Sequence, residues 1–228
     1  MIKETSIKGN WHTSYTHNGL LFLCEMDKGC NFFLSTYPWS GDDQHLDEQW
    51  FTANLISKKT IYAQVGDMCA IDNQLFISSS DEGVHSISFD SLGNLGDVTS
   101  IFRGFEGTTF TIRPVKNEVV FAAGYDGIVF YSLADGTIRK ISTGQDVKDF
   151  LTDGINIQVI DEYDNIFRTD FASFESIYAG EGKKNKLLVY HDGRETVIEN
   201  VERWDIRPES KQLHVFDFED ALLRIFQF

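Results

Sequence analysis

The chain has 228 residues, of which 42% are hydrophobic and 14% aromatic, so it can bury a substantial core. Its 35 acidic residues against 20 basic ones give a net charge of −15, which disfavours nucleic acid and anionic membranes and favours a basic partner. The N-terminal segment MIKETSIKGN lacks the apolar run of a signal peptide. With Cys24, Cys30 and Cys69 interpreted as reduced thiols, we expect a cytoplasmic protein.

One pattern recurs along the chain: an aliphatic or aromatic residue is followed five positions later by Asp, and then by another apolar run. The pairs are Phe22/Asp27, Phe76/Asp81, Phe121/Asp126, Val159/Asp164 and Val215/Asp220. Gly, Asn or Ala follows each Asp within two residues, and the Gly and Asn cases indicate tight hairpin turns. The flanking runs are rich in residues that fit half-buried strands, so the pattern predicts an all-β chain.

The most regular copy of this pattern is Thr109–Leu133, and Trp204–Phe228 nearly repeats it at a shift of 94 residues. At that shift Ile112-Arg113-Pro114 falls on Ile206-Arg207-Pro208. A fourth strand-like run lies between copies, in the segments KTIYAQV, TSIFRGF, TIRKIST and ETVIENV. Four antiparallel strands that recur every 40 to 50 residues or so are typical of the blades of a β-propeller.

On these repeats the chain resembles the β-propeller superfamily, with a WD40-like blade plan. It departs from WD40 itself, because no blade begins with Gly-His and no third strand ends in Trp-Asp. The resemblance implies one propeller domain over residues 1–228, built from four-stranded antiparallel blades. If the strands of a blade are called a to d, the recurring Asp lies in each b–c turn.

The blade count and the closure of the ring depend on the two ends of the chain and on one long interval. We favour five blades, with six as the alternative, because Ser176–Ala179, Leu187–Tyr190 and Thr196–Glu199 are either an added hairpin or a degenerate extra blade. The chain stops after strand c of the last blade. We therefore expect Glu4–Gly9 to supply the missing strand d and close the ring, which removes exposed sheet edges.

The five turn aspartates (Asp27, Asp81, Asp126, Asp164 and Asp220) have two interpretations. Asp favours such turns because its carboxylate accepts nearby backbone N–H groups, so we interpret them as structural. The alternative is an acidic crown that binds a cation or a basic protein. Tyr125 and Tyr163 precede two of the turns and are candidate partner-binding residues.

An acidic insertion breaks the repeat between Trp39 and Trp50 and is the main candidate for partner binding. Asp42, Asp43, Asp47 and Glu48 lie between the two tryptophans, on the face that we expect to lie opposite the b–c turns. Aromatic anchors beside carboxylates would suit a basic protein surface or a sugar. The structural alternative is a solvated acidic loop, or a short helix that packs its tryptophans on the barrel.

No nucleophile, phosphate-loop, dinucleotide or zinc motif occurs in the sequence, so we expect no catalytic residue, no metal and no cofactor. The leading hypothesis is a non-catalytic protein-binding module. In its sharper form it is an acidic inhibitor, such as an immunity protein that neutralises a basic toxin or nuclease. The alternatives are a carbohydrate-binding or glycoside-cleaving propeller, and a structural subunit of an assembly.

Overall fold

The computed structural model describes residues 3–41, 44–80, 83–103, 111–142, 147–152, 157–161, 166–168, 178–181, 186–191, 194–201, 203–207 and 210–227. These residues form 23 strands and one short helix, so the all-β prediction is confirmed. Within these ranges no helix is long and apolar enough to cross a membrane. Contacts divide the chain into unit one (Met1–Trp11, Ser40–Ala53, Phe171–Phe228) and unit two (His12–Trp39, Asn54–Asp170).

The elements in chain order are β1 (Lys3–Lys8), β2 (Trp11–His17), β3 (Leu20–Met26), β4 (Phe32–Pro38), β5 (Gln44–Leu46), α1 (Glu48–Asn54), β6 (Ser57–Ile61), β7 (Val65–Ile71), β8 (Gln74–Ser79), β9 (Gly83–Phe89), β10 (Leu95–Phe102), β11 (Ile112–Val115), β12 (Glu118–Ala122), β13 (Ile128–Ser132), β14 (Ile138–Ile141), β15 (Val147–Thr152), β16 (Ile157–Asp161), β17 (Ile166–Arg168), β18 (Tyr178–Glu181), β19 (Lys186–His191), β20 (Arg194–Glu199), β21 (Arg203–Arg207), β22 (Gln212–Asp217) and β23 (Leu222–Gln227).

The described strands form six sheets. Unit two contains sheet I (β2-β3-β4-β6), sheet II (β7-β8-β9-β10), sheet III (β11-β12-β13-β14) and sheet IV (β15-β16-β17). Unit one contains sheet V (β18-β19-β20) and sheet VI (β21-β22-β23-β1-β5). Sheets I to III keep the chain order of their four strands, which fits the predicted blade plan.

The strands of sheet III are nearly continuous apolar runs because both faces of this sheet are buried. On β12, Val119 and Phe121 belong to one buried cluster, whereas Val120 and Ala122 belong to another. Alternate residues of a strand point to opposite faces, so the two clusters lie on opposite sides of the sheet. Both faces of sheet III are therefore buried, as in a blade packed between two neighbours.

A glycine after the b–c turn is required by a close approach of strand d. Gly83 and Gly127 begin or precede strand c of sheets II and III, with φ of +86° and +82°. A Cβ on Gly83 would lie 2.0 Å from the carbonyl oxygen of Phe102, and one on Gly127 would lie 2.2 Å from that of Ile141. Both carbonyls end a strand d. The Asp-then-Gly pattern thus has a steric cause as well as a turn preference.

A buried polar cluster joins the first strands of three sheets in unit two. The Arg113 guanidinium on β11 donates to the Asp67 carboxylate on β7, and both side chains are almost completely buried. Asp67 Oδ2 also accepts the N–H of Ile112 at 3.2 Å, and its Oδ1 accepts the Thr13 hydroxyl at 3.3 Å. Sheets I, II and III are therefore joined by one buried carboxylate, which accepts donors from strands β2 and β11.

The N-terminal strand lies where the sequence predicted it. β1 pairs antiparallel with β23 from Lys3↔Gln227 to Lys8↔Leu222, and Gly9 N donates to Ala221 O at 2.8 Å. β1 thus occupies the position of strand d in sheet VI. On its other side it pairs in parallel with β5, which the sequence analysis did not anticipate.

The long interval before β21 contains a separate sheet. The runs at Leu187–Tyr190 and Thr196–Glu199 lie in β19 and β20, and β18 covers the end of the run that begins at Ser176. Together these strands form sheet V, with β18 and β20 both antiparallel to β19.

Candidate functional site

The candidate site lies at one end of sheets I to III. In an antiparallel sheet that keeps chain order, the b–c turn and the link from strand d to the next strand a leave the same end of the sheet. We call this the turn end. In sheet I it carries the turn between Met26 and Phe32 and the link Tyr62–Gln64, and in sheet III it carries the turn from Ala123 to Gly127.

The carboxylate of Asp27 is used by its own turn. Asp27 Oδ1 accepts the N–H groups of Gly29 and Asn31, each at 2.8 Å. The Asn31 side-chain amide donates to both carboxylate oxygens, and this bond is the main cause that lowers the pKa of Asp27 below its ordinary value. The structural interpretation of this aspartate is therefore the one that the contacts support.

The same five-residue turn occurs between β9 and β10. Asp90 Oδ1 accepts the N–H groups of Leu92 and Asn94, each at 2.9 Å, and the Asn94 amide donates to Asp90 Oδ2 at 2.8 Å. These bonds, led by the Asn94 side chain, lower the pKa of Asp90. The sequence analysis missed this turn because it searched for Asp only in b–c turns. The shared Asp-x-x-x-Asn spacing would have found it.

The other turn aspartates differ from Asp27. Asp126 Oδ1 accepts Lys140 Nζ at 2.8 Å across to β14. In sheet VI it is Asp217 that caps the turn, through a 3.0 Å bond from Asp220 N, while Asp220 O accepts a bond from Lys8. Asp81, Asp164 and Tyr163 lie outside the described residues.

The acidic insertion folds onto sheet VI as a strand and a short helix. Leu46 on β5 is buried, and Ser6 on β1 bonds His45 Nδ1 at 2.8 Å. Asp47 is the N-cap of α1, since its Oδ1 accepts Trp50 N at 2.9 Å. Phe51 packs against Trp50 and Trp11, with centroid distances of 5.2 Å for both pairs.

The described residues of the insertion that the sequence predicted to bind a partner therefore differ in burial and in their position in the fold. Glu48 is exposed in the first turn of α1, and Trp50 is half-buried beside Phe51. Trp39 is half-buried at the end of β4 in unit two, where its N–H donates to Gly19 O at 2.7 Å. Asp42 and Asp43 lie outside the described residues. The packing of α1 agrees with the alternative of a short helix that the sequence left open.

An open pocket of about 400 Å³ lies at the turn end of sheet I. We call it the core-end pocket; it is lined by Met26, Cys30, Asn31, Phe32, Ile61, Tyr62, Ala63 and Gln64. Its floor continues the buried core, because Phe32 and Ile61 belong to the large cluster of unit two. Met26, Phe32 and Ile61 are directly opposite one another on β3, β4 and β6. The sequence analysis did not find this pocket.

Large side chains at the turn end are unusually exposed. Tyr62 is 90% exposed, Tyr125 is 64% exposed and Met26 is 45% exposed. In sheet VI, Phe218 of the β22–β23 turn is 47% exposed. Aromatic and Met side chains are enriched at protein–protein interfaces relative to the rest of the surface. Of these residues the sequence analysis selected Tyr125 as a contact residue.

The titratable groups of the described residues form no metal site. No group of three or more His, Cys, Asp or Glu side chains in the described ranges could hold an ion. Cys24, Cys30 and Cys69 are free thiols, as predicted, and only Cys30 is exposed. Burial raises the pKa of the Cys24 thiol strongly.

Comparisons with known proteins place the chain by its fold alone. No family model matches the sequence, and no curated protein matches it either. The chain is similar to the computationally designed Ika8 protein at a TM-score of 0.54 and 10% identity, over 96% of this chain and 71% of that one. It is similar to designed Ika4 at a TM-score of 0.50 and 12% identity, over 70% of this chain and 89% of that one.

A third solved structure, the WD40 β-propeller domain of Doa1, matches at a TM-score of 0.49 and 12% identity, over 94% of this chain and 77% of that one. The solved structures that the chain resembles include designed propellers. With its four-stranded antiparallel sheets, the chain resembles the β-propeller superfamily, with no specific family identified.

Proposed function

We propose that this chain is a non-catalytic protein-binding module that recognises a basic protein. The observation that carries the proposal is the charge: 35 acidic side chains against 20 basic ones on a chain with exposed Tyr62 and Tyr125 at its turn end. Opposite charge steers a basic partner toward this surface, and aromatic side chains supply contact area once it arrives.

In its sharper form the module is a cytoplasmic inhibitor, such as an immunity protein that neutralises a basic toxin or nuclease. The acidic composition supports this role. The candidate partner-binding residues of the insertion are Trp39, Asp42, Asp43, Asp47, Glu48 and Trp50. The candidates in the b–c turns are Tyr125 and Tyr163. The carbohydrate and scaffold alternatives stay predictions from the sequence.

The scaffold for this function is proposed to be one propeller domain over residues 1–228, with β1 closing the ring. The pairing of β1 with β23 supports the closure. Five blades are proposed, with six as the alternative; within the described residues the three strands of sheet V pair with one another, which fits either count.

Affinity purification from the native cell tests the proposed function. We expect a basic protein to be retained by the wild-type chain and released by salt. Asp43→Lys with Glu48→Lys should slow association with that protein about ten-fold or more, on the scale of lost electrostatic steering. Asp47 is left intact because it caps α1.

A matched control separates a local effect from the change in net charge. Asp72→Lys with Asp97→Lys alters the net charge equally, and both side chains lie outside the insertion. Asp72 has φ of 51°, a conformation that Lys116 and Lys211 also adopt, so lysine is tolerated there. Equal slowing by the two double variants would show that the insertion is not the contact surface. Recovery of no basic protein would refute the proposed function.

A further inference from the structure

The core-end pocket is an uncapped end of the hydrophobic core. Phe32 and Ile61 on its floor are almost fully buried and pack in the same cluster as Val65 of β7. Met26 and Tyr62 also line the pocket, but unlike Phe32 and Ile61 they expose large apolar surfaces to water. Removing such surface from water is favourable, so a group that enters the pocket would extend the core by one side chain.

The residues that line the core-end pocket determine which kind of chemical group can bind in it. Four of the eight lining residues are Met26, Phe32, Ile61 and Tyr62, and none of the eight is charged. The side-chain amide of Asn31 donates to the Asp27 carboxylate, so its hydrogen-bonding capacity is partly used within the turn. A volume of about 400 Å³ lies in the range of pockets that hold ligands. The pocket therefore favours an apolar side chain over a charged one.

The net charge of the chain indicates which charge the partner's residues on either side of the bound apolar side chain should carry. With a net charge of −15, the protein disfavours acidic segments and attracts basic ones. Asp27 lies beside the pocket, bonded to the lining residue Asn31, whose side chain lowers the pKa of that carboxyl below its ordinary value. We propose that the core-end pocket receives one apolar side chain, Leu, Met or Phe, from a basic segment of the partner protein. This inference rests on the proposed function and deepens it.

Cys30 provides a direct readout of occupancy. It lines the pocket and is exposed, whereas Cys24 and Cys69 are buried. A maleimide should therefore modify Cys30 alone in the folded protein. A ligand in the pocket slows this labelling by mass action, about ten-fold at a concentration of ten times its Kd.

The probes are capped heptapeptides of the form GKRXKRG, with Leu, Met or Phe at the central position X. We expect at least one of them to slow Cys30 labelling, whereas the Ala-centred peptide and the acidic peptide GEDLEDG do not. Tyr62→Ser should weaken the peptide about ten-fold or more, on the scale of a hot-spot residue. Leu92→Ser, which removes an exposed apolar side chain from the turn between β9 and β10, should leave peptide binding unchanged.

Each other outcome overturns the inference. Binding of a basic peptide by fluorescence anisotropy without slower Cys30 labelling would place the contact elsewhere, and the proposed function would survive. Equal protection by the Ala-centred peptide would show that charge alone binds. Failure of every apolar-centred peptide would exclude the pocket as an anchor site, while capture of a basic protein from the cell would still support the proposed function. Tyr62→Ser is expected to have the same melting temperature as wild type, because the Tyr62 side chain is almost wholly exposed.

Discussion

Replacing Arg113 should destabilise the protein more than any exposed charge would. Arg113→Met removes the guanidinium from the buried Asp67 carboxylate, which also accepts the Thr13 hydroxyl and the Ile112 N–H. Removing one partner of a buried ion pair costs about 3–5 kcal/mol. Since two donors remain, we expect a loss of about 3 kcal/mol, at the lower end of that range.

For a chain of this length each kcal/mol lowers the melting temperature by about 2–4 °C, so Arg113→Met should melt about 6–12 °C below wild type. Differential scanning calorimetry measures this shift. Glu118→Gln, in which a half-buried carboxylate loses its ion pair with the exposed Arg139 in the same sheet, should change the stability by less than about 1 kcal/mol.

A double variant isolates the cause. Asp67→Asn in the Arg113→Met background removes the unpaired negative charge and should recover much of the lost stability. A single Arg113→Met variant that melts with wild type would refute the account of Asp67 as a charge held in the core by Arg113. A double variant no more stable than the single one would refute it as well.

Further predictions follow from the edge strand, the turns and the insertion. Deleting residues 1–8 should sharply lower the melting temperature because β23 and β5 lose their shared partner; an unchanged melt would contradict the closing role of β1. Asp27 and Asp90 have pKa values below the ordinary 3.8, so their stabilisation is present above about pH 4 and is lost as the pH falls through the folded pKa. The double variant Asp27→Asn, Asp90→Asn should therefore lose less free energy of unfolding than wild type as the pH falls, measured by urea denaturation at each pH. An equal loss in the two proteins would count against this stabilisation. Leu46→Ala should cost about 2–5 kcal/mol by chemical denaturation, since this side chain of the insertion is buried, and a loss within error would refute its anchoring role.

The strands could be predicted because both faces of the central sheets are buried. A strand such as β12 then becomes a continuous apolar run, and its Asp-Gly turn gives the position of the hairpin. The Gly127 requirement follows from the same geometry, although the clash with Ile141 O is visible only in three dimensions. Sequence alone could not decide whether the runs of sheet V formed a blade or an added hairpin, because those copies have lost the regular spacing.

The features that escaped sequence analysis depend on contacts between distant segments. β5 has three residues, of which Leu46 is buried, and nothing in so short a segment indicates a parallel pairing with β1. The core-end pocket combines Met26, which ends β3, with Tyr62, which follows the edge strand β6, at the same end of sheet I. Neither residue stands at a defining position of the recurring apolar/Asp pattern, and their exposure becomes visible only when the sheet is assembled.

The association rate constant between this protein and the basic protein purified with it, measured by stopped flow against ionic strength, tests the central claim most directly. Charge steering predicts a rate constant that falls steeply as salt rises from about 0.01 M to 0.15 M, over which the screening length shortens from about 30 Å to about 8 Å. A rate constant that does not change over this range would contradict recognition of a basic partner by an acidic surface.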